Sequence, residues 1–229
     1  MEQHRRDHGK PMISDPTKAT ERRFPMDMYI SDTHFGHENI LEECRPQFKT
    51  IDEMDSFLIE SINQKMKKTD TLYIVGDFSF RSKRPVVEYL EAINPQKVLI
   101  LGNHDRDWLK KLSEAEIRQH FLGIYPQYCT KKNKIELHFN HFPQLAWNRS
   151  HHFGGSFSIC GHIHNARDTS DAARLFPLVK GQFNAGVDVN GFSPVTFEEL
   201  VANNLAFYDF GYSAEEEFKI RQAVEKIMK

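Results

Sequence analysis

The chain has 229 residues, 39% of them hydrophobic and 27% charged, with a formal net charge of -2. A chain of this length can bury a sizeable core as one domain, and its slightly acidic balance argues against bulk electrostatic binding of nucleic acid. No apolar run approaches the roughly 18 residues a membrane helix needs, and the first 25 residues lack the apolar stretch of a signal peptide.

Residues 1–25 are polar and mixed in charge, so they read as a flexible N-terminal arm or expression remnant with His4 and His8 solvated; a single domain is expected over 26–229. Cys44, Cys129 and Cys160 are odd in number and far apart, which favours free thiols and a cytoplasmic location over a disulfide framework or thiolate zinc site. Met28-Tyr29-Ile30 is a short apolar run ending at Ser31-Asp32. Thr50 and Glu53 have capping-box spacing, and Ile51, Met54, Leu58, Ile62 and Met66 recur at steps of three or four, the pattern of an amphipathic helix. A strand follows at 71–75, a helix at 85–93 with proline in its first turn, and a strand at 97–101. The order strand, helix, strand, helix, strand implies a parallel sheet with right-handed crossovers.

Beyond this point the pattern changes. A helix is expected around 107–120, then shorter strands at 135–139, 157–160, 183–188 and 205–208, with mixed or antiparallel pairing. A short helix is expected at 196–201 and a terminal one at 214–229, carrying Ile220, Val224 and Ile227 on one face.

The informative feature is what ends the strands. Apolar runs stop at Asp32-Thr33-His34, Gly76-Asp77, Gly102-Asn103-His104-Asp105, His141 and Gly161-His162-Ile163-His164. In parallel α/β sheets ligands bind beyond the carboxyl ends of the strands, so the first three groups should converge on one crevice. Singly, each is more often a turn or a helix cap than a ligand. Gly-His-x-His is more suggestive, because alternate strand residues present two imidazoles to one face. Taken together and in this order they form a strong signal.

These motifs, with Asn140-His141 and the Gly186 to Gly191 stretch, resemble the calcineurin-like metallophosphoesterase superfamily, in particular its small single-domain bacterial and phage members. The resemblance runs from about Met28 to Glu199. It implies an α/β fold, a four-layer α/β/β/α sandwich of two mixed sheets flanked by helices. It further implies that Asp32, His34, Asp77 and His164 hold one metal and that Asp77, Asn103, His141 and His162 hold another, with Asp77 bridging. Donors of this kind, without thiolate, suit manganese first, with iron or zinc as alternatives. Two divalent cations outweigh the charges of Asp32, Asp77 and a bridging hydroxide, so an anionic phosphate is attracted to the centre. Ions roughly 3.5–4 Å apart can activate that hydroxide for attack on a phosphate ester. His104 resembles the family's histidine that assists the leaving group, and Asp105 is expected to orient its ring.

His37 and Asn39, near the start of a helix, and Arg81 in the basic loop 81–84 are candidates for substrate contact, though capping and solvation explain them too. Trp147, Arg149, His151 and His152 are expected on a loop over the crevice, where Arg149 could meet phosphate. His120, His138, Asn184 and Asp188 read as structural or surface residues. The expected activity is hydrolysis of small phosphodiesters or nucleotides. A nuclease, and a non-catalytic metal-binding scaffold for a protein partner, are the alternatives; oligomeric state is left open.

Overall fold

The computed structural model describes residues 24–166 and 170–229; the expected arm falls outside them except for its last two residues. Two four-stranded sheets flanked by helices form a mixed α/β fold. The first sheet runs β1 (Asp27–Ile30), β2 (Thr71–Val75), β3 (Gln96–Ile100), β4 (Phe121–Tyr125), in that spatial order and all parallel. The second runs β5 (Tyr128–Lys132), β6 (Ile135–Phe139), β7 (Ser156–Cys160), β8 (Gln182–Asn184), with β5 antiparallel to β6 and the rest parallel.

Register explains why the motifs meet. Ile30 pairs with Ile74, and Val75 with Ile100, so the chain leaves β1, β2 and β3 at one edge. Phe139 pairs with Ile159, so β6 and β7 end together as well. The sheets are tied at that edge by Ser31, whose N–H donates to the Ala185 carbonyl and whose own carbonyl accepts from Val187 N–H. All five motifs therefore emerge on one rim.

Alternate residues of the first sheet, Tyr29, Tyr73, Val75, Val98 and Ile100, pack against Leu137, Phe139, Phe157 and Ile159 of the second. Tyr73 and Phe139 stack with centroids 5.1 Å apart. The opposite face of the first sheet, Met28, Ile30, Leu72, Ile74 and Leu99, is covered by Met54, Leu58 and Ile62 of α2 (Ile51–Lys65) and by Tyr89 and Leu90 of α3 (Val86–Ala92). The α2 stripe and its Thr50 cap, which accepts from Glu53 N–H, match the sequence pattern. A short α1 (Ile40–Cys44) precedes it.

Several expectations need correction. The helix expected at 107–120 is two, α4 (Asp105–Leu109) and α5 (Glu114–His120), because Ser113 and Glu116 form a capping box that starts a new helix. No strand exists at 205–208. Those residues belong mostly to α7 (Phe197–Phe207), which begins at a Thr196–Glu199 capping box and buries Phe197, Leu200, Val201 and Asn204 at helical spacing. The strand expected at 183–188 is shorter, and its continuation instead bonds to Ser31. Strands β4 and β5 were not expected: Gly123 and the lysine-rich Tyr128–Lys132 segment weaken their apolar signal. A short α6 (Asp171–Leu175) and the terminal α8 (Ala214–Ile227) complete the fold, α8 burying Ile220 and Ile227 with Val224 partly covered. No helix among the described residues is long and apolar enough to cross a membrane.

A strand of the first sheet buries a lysine. Lys97 on β3 is 4% exposed, its Nζ donates to the Ile93 and Pro95 carbonyls, and burial pushes its pKa down from 10.5 to about 8. Between those values the unfolded chain binds more protons than the folded one. Stability therefore rises with pH across that window, by at most about 3 kcal/mol. Urea denaturation at pH 7 and pH 10 checks this: wild type should gain on Lys97→Met as pH rises, and parallel profiles would contradict it.

Candidate metal centre

At the end of β1 the chain turns sharply, with Asp32 at φ 56° and His34 at φ 50°. Asp77, His162 and His164 also have positive φ, at 53°, 71° and 48°. Side chains rarely take up this left-handed backbone, and such strain persists only where surrounding structure enforces it. Five expected ligands share it. The enforcement is visible in hydrogen bonds: Ser31 Oγ donates to the Val75 carbonyl at 2.6 Å, Thr33 Oγ1 to the Phe78 carbonyl at 2.8 Å, and His34 N–H to the Asp77 carbonyl at 3.1 Å. Close approach also fixes two glycines. A Cβ on Gly76 would lie 2.3 Å from His141 Nδ1, and one on Gly102 would lie 2.2 Å from Asp77 Oδ1.

Asp77 stands at the centre. Its Oδ1 accepts the His104 N–H at 2.9 Å, while Oδ2 lies 3.3 Å from His141 Nε2 and 3.8 Å from both His34 Nε2 and His104 Nε2. Two groups of side chains flank it, each with ligand atoms within 4.8 Å of one another: Asp32, His34 and His164 on one side, and Asp77, His141 and His162 on the other. Asn103 joins the second group, its Oδ1 3.1 Å from His141 Nε2. The structure thus brings together all seven side chains expected to hold metal.

The polar atoms fit cations. His34 is 3% exposed, yet neither ring nitrogen has a hydrogen-bond partner. Burial, helped by the facing His164, keeps its pKa well below the usual range, so it presents a neutral imidazole with a lone pair and no donor to satisfy it. His141 is fully buried and its Nδ1 lies 2.9 Å from the Val75 carbonyl, an acceptor that turns Nε2 toward Asp77 and Asn103. Burial opposes charge on both His141 and Asp77, but their mutual hydrogen bond wins, pushing His141 up to about 9 and drawing Asp77 down to about 2. A divalent cation between them would take the place of that shared proton.

His164 is held from behind. Its Nδ1 lies 2.9 Å from Asp188 Oδ2, leaving Nε2 facing Asp32 Oδ1 at 4.0 Å. Asp188 is in turn gripped by Arg45, whose Nε and Nη2 donate to its two oxygens at 2.8 and 3.0 Å. Arg45 is wholly buried and also donates to the carbonyls of Asp32 and Thr33, so one guanidinium braces the β1 turn and the His164 support together. Burial opposes charge on His164, but the Asp188 hydrogen bond pushes it up to about 11. Cys44 Sγ lies 3.9 Å from both His164 Nδ1 and Asp188 Oδ1, making a third compact group, but there Asp188 is already committed to Arg45. Neither Arg45 nor Asp188 was singled out from the sequence as a functional residue.

His104 is half-buried at the rim, with its ring 3.7 Å from the Phe80 centroid and 5.5 Å from that of His34. Asp105 does not orient that ring, contrary to expectation. Its four hydrogen bonds come from the Asp77, Phe78 and Gly102 N–H groups and Trp108 Nε1, at 2.8–3.0 Å, so it ties the ends of β2 and β3 together. It starts α4, and His104 in the capping position makes no side-chain cap.

His37 packs beside the centre, stacked on His34 at 5.3 Å and edge-on to Phe80 at 4.8 Å. Asn39 precedes α1 without a side-chain cap. The Arg81 guanidinium lies over the Phe80 ring, 4.9 Å from its centroid. Arg149 is placed elsewhere. It pairs with Glu136 at 3.0 Å, near the start of β6, whereas His141 follows the end of that strand. Trp147 is likewise turned to Ser156 at the start of β7. His151 and His152 pack against each other with their rings tilted, and His138 faces Glu136 and Cys129.

A family model described as calcineurin-like phosphoesterase matches residues 28–187. Over 174 residues the chain is 39% identical to the uncharacterized protein MJ1445 of Methanocaldococcus jannaschii, covering 75% of this chain and 87% of that one. Over 80 residues it is 35% identical to the gene 66 protein of Mycobacterium phage L5, covering 34% of this chain and 38% of the phage protein. Among solved structures it is similar to the protein of unknown function AQ665 from Aquifex aeolicus. That match has a TM-score of 0.58 and 24% identity, covers 78% of this chain and 99% of that one, and bears on the fold alone.

Proposed function

Because the chain belongs to the calcineurin-like phosphoesterase family, we propose that it hydrolyses small phosphate esters, phosphodiesters or nucleotides, with the help of two divalent cations. The observation that supports this most is the pair of donor groups facing each other across Asp77, with both ring nitrogens of His34 unpartnered. In this reading Asp32, His34, Asp77 and His164 hold one ion, and Asp77, Asn103, His141 and His162 the other. Carboxylate, amide and imidazole donors favour manganese, with iron or zinc as alternatives. The chemistry such a pair supplies is Lewis acidity toward phosphoryl oxygen and toward water, whose pKa falls towards about 7.

The chain's own residues do the rest. Asp77 faces both donor groups and, through Oδ1 and the His104 N–H, sets where His104 leaves the backbone. Phe80 lies 3.7 Å from the His104 ring and restricts its rotation. His104 Nε2 is the atom placed to hold a proton for the departing ester oxygen, a role for which imidazole is suited near neutral pH.

The test is metal-stripped protein reloaded with manganese, iron or zinc and offered a matched monoester, diester and cyclic nucleotide. Metal-dependent turnover of the diester is expected, and no turnover of any ester by the metal-loaded protein would overturn the reading. In the same assay His104→Ala should retain both metals and lose about 10²–10⁴ in rate, most for poor leaving groups. Loss of metal in that variant would make His104 a ligand instead.

A further inference from the structure

The centre opens onto clefts of different character. The one lined by His104 encloses about 630 Å³ between the 79–87 loop and the 104–116 segment. Its charges are largely settled by neighbours: Lys83 pairs with Glu38, Arg84 with Glu88 and Asp107 with Lys110, while the Glu116 carboxylate closes the α5 cap. Arg81 and Lys111 remain, with no carboxylate within ion-pair distance among the described residues. Arg81 is also held in the left-handed region at φ 49° and laid over Phe80, the ring that touches His104. By contrast, the cleft beside His164, about 400 Å³, offers Ile40, Ile163 and Ala172 with Glu43 as its acid, and no lysine or arginine among its described residues.

His104 can serve the departing oxygen only if the leaving alcohol lies on its side of the centre. That side is the cleft with two uncommitted cations, and the cavity is large enough for more than a bare alcohol. We propose that this cleft receives the alcohol half of the ester, and that the alcohol carries a phosphate of its own, bound by Arg81 and Lys111. The proposal rests on the phosphoesterase reading and narrows it, to substrates bearing a second phosphate a few bonds beyond the scissile one. The guanidinium suits a phosphate's paired oxygens, and Lys111 adds a point charge.

The test compares butane-1,4-diol monophosphate with the bisphosphate on manganese-loaded full-length protein. Their reacting groups match, and only the second leaves as a phosphorylated alcohol. The bisphosphate should show a kcat/KM at least about tenfold higher after correction for its two equivalent ends. In the Arg81→Gln/Lys111→Gln double variant that ratio should fall to near parity, whereas Lys219→Gln, which removes a cation on α8, should leave it intact. Calorimetry supplies a reading independent of turnover. Butane-1,4-bisphosphonate should bind more tightly than butylphosphonate, and the double variant should erase the difference. A thymidine pentanucleotide, which offers the same chemistry on a polymer, should be a poorer substrate than the bisphosphate. Equal rates for the two butanediol esters, or a ratio the double variant leaves unchanged, overturn the proposal while sparing the hydrolase reading. Turnover of neither butanediol ester while the matched diester is still cleaved overturns the proposal alone, no turnover of any ester overturns both readings, and faster cleavage of the pentanucleotide overturns the assignment to a small molecule.

Discussion

Asp77→Asn is expected to lose roughly a thousandfold or more in turnover and to weaken metal binding in both donor groups at once. Asp77 Oδ2 stands within 3.3–3.8 Å of His34, His104 and His141, so its charge reaches both sides of the centre. The amide keeps the carboxylate's shape and can still accept the His104 N–H through its oxygen, which should leave the turn folded. It removes the charge and puts an N–H₂ donor where a lone pair would face the cations. Calorimetric titration with manganese should therefore show both binding events weakened, with the thermal unfolding of the metal-free chain little changed. Loss of one event alone would make Asp77 a ligand to a single ion.

Asp188→Asn should have the largest effect on stability. Arg45 and Asp188 are both almost fully buried, and the substitution leaves a guanidinium without its counter-charge. Breaking a buried pair in this way costs about 3–5 kcal/mol, or on the order of 10 °C in Tm for a chain of this size. Part of the loss is fold and part is site, and a second variant separates them. Arg45→Met with Asp188→Leu removes both charges together, which typically restores much of the stability. It cannot restore the acceptor at His164 Nδ1, so manganese affinity should stay about 10–100-fold below wild type. A double variant with wild-type affinity would show that Asp188 serves the fold alone and does not position His164.

Much of the site was legible because ligand chemistry and strand patterning coincide. Asp32, Asp77, Asn103, His141 and His162 each follow an apolar run, and parallel pairing carries such positions to one rim regardless of their separation in sequence. The support around them was not. Arg45 and Asp188 lie 143 positions apart, one just after a five-residue helix and the other just past β8, and neither falls in a periodic pattern. Phe80 reads as a loop aromatic until its ring is found against His104. The Asp105 assignment failed because adjacency in sequence is not adjacency of side chains. At the first residue of α4 the carboxylate points back to the Asp77 and Gly102 N–H groups, away from the neighbouring imidazole.

The same lesson applies to the fold. Leu205, Phe207 and Tyr208 look like a strand in isolation, but a helix already nucleated at the Thr196–Glu199 cap carries on through Phe207. Lys97 sits within an apolar strand and would ordinarily mark an edge, yet its side chain bends to carbonyls at the end of α3 and stays buried. Arg149 drew attention by lying between two ligand motifs, whereas β7 has to begin at the far end of the sheet, and Arg149 goes there with it.

Anomalous diffraction from manganese-loaded crystals addresses the central claim most directly. Two peaks are predicted, one enclosed by Asp32, His34 and His164 and the other by Asn103, His141 and His162, with the Asp77 carboxylate between them. A single peak, or manganese seated only against Cys44 and Asp188, would contradict it.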